Sequence, residues 1–129
     1  MPLVIAFEEP SLFLEKATGD VTYEEVLRAR VEMLADPRLR DGATFLVESK
    51  GVTGTPSSAA LAFLAQQTRH LFVRGLKKMA IVSDSKLVDE SANRFADYTY
   101  LTGGEVKVFR DVLKARAWLK EPHTRSAAR

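Results

Sequence analysis

Four times along this chain a short run of β-forming apolar residues gives way to a segment with helical periodicity. The runs are Leu12 to Ala17, Thr44 to Val47, Met79 to Val82 and Val106 to Phe109. Each is followed by apolar residues spaced at three and four, the signature of a helix with one buried face. Strands that alternate with helices of this length dictate a largely parallel sheet with right-handed crossovers. A further apolar run, Leu3 to Phe7, precedes the first of them across the turn residues Glu8, Glu9, Pro10 and Ser11, which predicts a hairpin. The element order read from the sequence is therefore β-β-α-β-α-β-α-β-α, an α/β fold with a mixed, mostly parallel sheet.

Local signals fix the element ends. In the first strand of the alternation, Leu12, Leu14 and Lys16 share one side and Phe13, Glu15 and Ala17 the other. Thr22 and Glu25 form a capping box, and Val21 and Val26 a hydrophobic staple, at the start of the first helix. Leu27, Val31 and Leu34 predict its apolar face, and Asp36-Pro37 its end. Thr44 to Val47 reads as a strand buried on both faces, followed by a loop from Glu48 to Gly54. Thr55 as N-cap and Pro56 as first helical residue open the second helix, which ends near Arg74 and Gly75. Ser83 or Asp84 caps the third helix, which carries Leu87, Val88, Ala92, Phe95 and Tyr98 and is broken by Gly103 and Gly104. Asp111 caps the fourth, with Trp118 in the core and Pro122 as its stop.

With 129 residues and 46% hydrophobic side chains, the chain is long enough to bury a core as one domain, expected over residues 1–121. Residues 122–129 read as a flexible tail. The basic excess is local to the end: Lys120, Arg125 and Arg129 oppose Glu121, and the first 119 residues carry sixteen basic and sixteen acidic side chains. No basic field of the kind that binds nucleic acid covers the domain. There is no cysteine, hence no disulfide and no thiolate chemistry. No run approaches the length of a transmembrane segment and the start lacks a signal-peptide pattern, so a cytoplasmic location is expected.

The final strand and helix carry Glu105-Val106-Lys107-Val108-Phe109-Arg110-Asp111 and then Ala117-Trp118-Leu119. With the element order over about residues 3 to 120, this resembles the STAS domains, whose type members are the bacterial anti-sigma-factor antagonists, and the small SpoIIAA-like proteins. In the antagonists an Asp-Ser-Ser-Gly motif stands where the third strand runs into the second helix. Its second serine is phosphorylated by a partner kinase, which switches partner binding. Here Pro56, Ser57, Ser58 and Ala59 occupy those places. Both serines match, with Ser58 as the phosphoacceptor equivalent, while the aspartate and the glycine are replaced. The resemblance implies a non-catalytic regulatory or protein-binding module, a protein partner such as a kinase or regulatory protein, and a homodimer.

The residues themselves place the candidate site at one sheet edge. Ser57 and Ser58 fall in the first turn of a helix, where free N–H groups and the helix dipole favour an anion and serine also serves as a cap. Thr53, Gly54 and Thr55 share an edge with Ser83, Asp84 and Ser85, since ligands of open α/β sheets collect outside the carboxyl ends of strands. This supports an alternative, a carrier for a small anionic or lipid ligand at that edge. Arg69, His70, Arg74, Lys77 and Lys78 form a basic cluster at the end of the second helix, complementing its dipole. Enzyme signatures fail. His70 and His123 lack the companions a metal needs, Gly-x-Ser-x-Gly is missing, and Gly51-Val52-Thr53-Gly54 does not continue into a P-loop. No cofactor is expected.

Overall fold

The computed structural model describes residues 3–53, 57–101 and 104–121. The elements are β1 (Leu3–Glu8), β2 (Leu12–Thr18), α1 (Tyr23–Ala35), β3 (Ala43–Lys50), α2 (Ser58–Val73), β4 (Leu76–Ser83), α3 (Lys86–Leu101), β5 (Val106–Phe109) and α4 (Val112–Lys120). The expected order is the observed one. The five strands stand side by side in chain order, β1 antiparallel to β2 and every later pair parallel.

The pleat divides the core. On one face Phe13, Phe45, Val47, Met79 and Ile81 pack against α1, α2 and α3 through Met33, Leu64 and Phe95. On the other, Leu46, Ala80 and Val82 pack against Ala115, Trp118 and Leu119 of α4. The division of β2 into two sides holds: Phe13, Glu15 and Ala17 are buried beneath α1–α3, while Leu12 and Leu14 lie under the α4 side. Central strands buried on both faces are the reason β3 and β4 read as unbroken apolar runs.

Several expectations change at the element ends. Strand β3 continues through Glu48, Ser49 and Lys50, because the parallel ladder with β2 runs on to the Thr18–Lys50 pair. Ser57, rather than Thr55, caps α2, accepting from the Ala60 N–H at 3.1 Å. Gly54, Thr55 and Pro56 lie outside the described residues, as do Gly103, Pro122, His123 and the rest of the tail. Ser85, rather than Ser83 or Asp84, caps α3: its hydroxyl accepts from Val88 N–H at 3.1 Å and its carbonyl from Asp89 N–H at 2.9 Å. The cause is that β4 extends to Ser83, pushing the turn one step on.

Of the apolar face expected for α1, Leu27 and Leu34 pack against the core and Val31 does not. Val31 is 63% exposed, and the buried positions are Ala29, Arg30 and Met33. Within the basic cluster Arg69, His70 and Arg74 are exposed, but Lys78 is fully buried on the α4 side of β4. Its ammonium donates to the Trp118 carbonyl at 2.7 Å and lies 4.5 Å from the indole centroid. At the end of α2, Gly75 has φ +128°, and a Cβ there would stand 2.5 Å from the Arg40 backbone. Glycine alone satisfies both demands.

Candidate binding chamber at the strand carboxyl edge

Because β2, β3 and β4 are parallel and each is followed by a returning helix, α1, α2 and α3 all begin at the same edge of the sheet. The chain closes each start with a side chain. Thr22 and Glu25 form the predicted capping box, with the Thr22 N–H donating to Glu25 Oε1 at 2.9 Å and the Glu25 N–H donating to Thr22 Oγ1 at 3.2 Å. Ser57 caps α2 and Ser85 caps α3, each with a single hydroxyl acceptor. Three helix N-termini thus face one rim, and their dipoles make it favourable to negative charge.

The loops on this rim are laced together. Gly19 N–H donates to the Gly51 carbonyl at 3.1 Å, Thr53 N–H to the Gly19 carbonyl at 3.0 Å, and Gly51 N–H to Asp84 Oδ2 at 3.0 Å. So Asp84 does meet the loop after β3, as a staple holding two loops. Ser83 is buried and its hydroxyl donates to the Ser85 carbonyl at 3.0 Å, closing the turn into α3. Among the described candidates, Ser58 is the one whose side chain meets a cation: its exposed Oγ accepts from Arg94 Nη1 of α3 at 3.4 Å. Thr53 is exposed beside the rim, and Gly54 and Thr55 fall outside the described residues.

Beneath this rim the α1–α3 layer does not close fully on the sheet. A chamber of about 300 Å³ remains, floored by β2, β3 and β4 through Ala17, Val47, Met79 and Ile81. Its walls are Val26 of α1, Leu61 and Leu64 of α2, and Val88, Ala92 and Phe95 of α3. Val21, Thr22, Val52 and Ser91 surround it at the edge. The lining is overwhelmingly aliphatic and aromatic, with a few polar groups, which is the common make-up of small-molecule sites.

Two charged residues also line it, Glu15 of β2 and Arg30 of α1. Their side chains are 3% and 5% exposed, and Arg30 Nη1 donates to Glu15 Oε1 at 2.5 Å. The guanidinium lies 4.8 Å from the centre of the Phe45 ring, a favourable cation–π placement. Arg30 Nε is buried and has no acceptor. Sequence reasoning passed over this pair, although each member carried a signal. Glu15 alternates with buried Phe13 and Ala17, so it must point inward. Arg30 stands four residues after Val26 and three before Met33, on the inward stripe of α1.

Among the described residues no group of three or more His, Asp or Glu is placed to hold a metal ion. No described helix is long and apolar enough to cross a membrane.

A mixed five-stranded sheet with three helices on one face and one on the other defines a STAS-type α/β module. The chain belongs to the SpoIIAA-like family, whose model matches residues 15–120. No curated protein matches it. A crystal structure of an uncharacterised protein from Shewanella loihica PV-4 with a SpoIIAA-like fold superposes with a TM-score of 0.54 at 22% identity, over 91% of each chain. At that identity the likeness shows the fold.

Proposed function

We propose that this protein is a non-catalytic binding module that takes a small, largely apolar molecule into the chamber beneath the strand carboxyl edge. The observation that carries the reading is the chamber itself: about 300 Å³ of mostly apolar space, walled by three helices and reaching the rim where ligands of such sheets collect. The polar groups around it are an ion pair and the hydroxyls of Thr22, Tyr23, Ser49 and Ser91, a set suited to holding a ligand.

A second reading is favoured by Ser58. Its hydroxyl is exposed in the first turn of α2, with the Arg94 guanidinium 3.4 Å away. A phosphoryl group there would meet both the helix dipole and a cation. This supports a partner-binding surface switched at Ser58 by a kinase, as the family likeness implies.

Mass spectrometry on protein purified gently from its own host tests both. The chamber reading predicts a non-covalent organic adduct under native conditions that leaves on denaturation. The switch reading predicts a phosphoryl mass that survives denaturation and maps to Ser58. A protein bare in both states, whose amide spectrum is untouched by saturating octanol, contradicts the chamber reading; an unmodified Ser58 in cells contradicts the switch.

A further inference from the structure

We infer that Arg30 is the group that selects the chamber's ligand, and that the ligand is a monocarboxylic acid with an apolar tail of about seven carbons. This rests on the chamber being a ligand site and adds what that ligand must be.

The size follows from the volume. A cavity of about 150 Å³ takes up benzene, so space of about 300 Å³ suits a ligand of on the order of ten non-hydrogen atoms.

The chemistry follows from the donors. An arginine carries five N–H donors in a rigid fork that matches a carboxylate. Among the described residues Arg30 donates one side-chain hydrogen bond, to Glu15 Oε1, and it lines the chamber, so most of its fork is not engaged by protein. A buried guanidinium needs its donors matched, so a fork with unspent donors in the wall of an apolar space is the place where a ligand's acceptor would be taken up. A carboxylate supplies two acceptor oxygens and leaves the rest of the ligand apolar, as the walls require.

Position agrees. Arg30 lies seven residues into α1 from its first residue, Tyr23, about two helical turns or ~10 Å below the rim. Glu15 lies in register with Val47 and, through it, Ile81, one inward-facing row below Ala17 and Ser49 at the edge. The acid therefore enters with its carboxylate foremost, and its tail lies along Val47, Ile81, Val88 and Leu61. Three helix N-termini at the rim favour the approach of the anion.

Glu15 makes the site selective. It neutralises Arg30 in the empty protein and competes with an incoming carboxylate for the same guanidinium. Glu15→Gln keeps the shape and removes the competing charge, so it tightens acid binding.

The test is calorimetric titration of the native protein with octanoate and with octanol, with amide spectra locating the site. Octanoate is expected to bind about tenfold or more tighter than octanol, the scale of a hydrogen bond to a charged group. Glu15→Gln is expected to tighten octanoate and leave octanol nearly unchanged, and Arg30→Met to erase the preference. Equal affinity of the native protein for acid and alcohol, with both shifting chamber residues, overturns the role of Arg30 and leaves the chamber reading standing. Neither probe shifting chamber residues overturns both. Should a variant fail to fold, the acid–alcohol comparison on the native protein decides alone.

Discussion

Lys78 shows how a single side chain departs from what its type and neighbours imply in sequence. Next to Lys77 and after Arg74 it reads as one more surface cation, but the pleat of β4 turns it inward beneath α4. Burial pushes its ammonium below the usual lysine pKa of 10.5, with Glu105 pulling the other way and Lys77 adding to the fall. The sign of the consequence is fixed by linkage. Between the lowered folded value and 10.5 the unfolded chain binds more protons than the folded one, so this residue's contribution to stability rises with pH through that window. Below it both states are charged and the full cost of burying the cation is felt. The difference in unfolding free energy, Lys78→Met minus native, is therefore predicted to fall as pH rises toward 10.5. Urea titrations of both proteins across that range measure it, and parallel profiles would contradict the assignment.

The elements were legible where a local rule acts alone. Thr22 with Glu25, and Asp111 before Val112, announce helix starts from sequence because a cap needs only its own first turn. They were misread where a neighbouring strand decides. The ladder between β2 and β3 carries Glu48, Ser49 and Lys50 into the sheet, and the length of β4 moves the cap of α3 to Ser85. In α1 Leu27 and Leu34 pack against the core as their spacing implies, but Val31 is exposed and the buried stripe includes Arg30, which no apolar count would include. For α2 the structure separates two serines that looked equivalent. Ser57 caps and Ser58 does not, so Ser57→Ala is predicted to cost about 1 kcal/mol of stability and Ser58→Ala a few tenths at most. Thermal or denaturant unfolding of the two variants distinguishes them; equal losses would show that the cap is shared.

At the scale of the whole molecule, the parallel order that set the fold also sets the site. Three strands running the same way bring three helix starts to one rim, and the rim lies over the gap where α1, α2 and α3 diverge from the sheet. The edge was visible in the sequence as polar segments after apolar runs. The chamber was not, because its volume depends on how three helices pack, and its ion pair joins Glu15 to a residue fifteen positions on. Of the described residues first marked at the edge, Asp84 staples loops, Ser83 and Ser85 form a turn and a cap, and Ser58 alone presents a hydroxyl to a cation. On the proposed reading the binding chemistry lies inward of the rim, at Glu15 and Arg30.

The account stands on the chamber holding a ligand, and a co-crystal structure with an ω-brominated octanol examines that directly. The account predicts bromine anomalous density between the sheet and α1–α3, within contact of Val47, Ile81 and Leu61. An empty chamber, or bromine bound only on the outer surface, would contradict it.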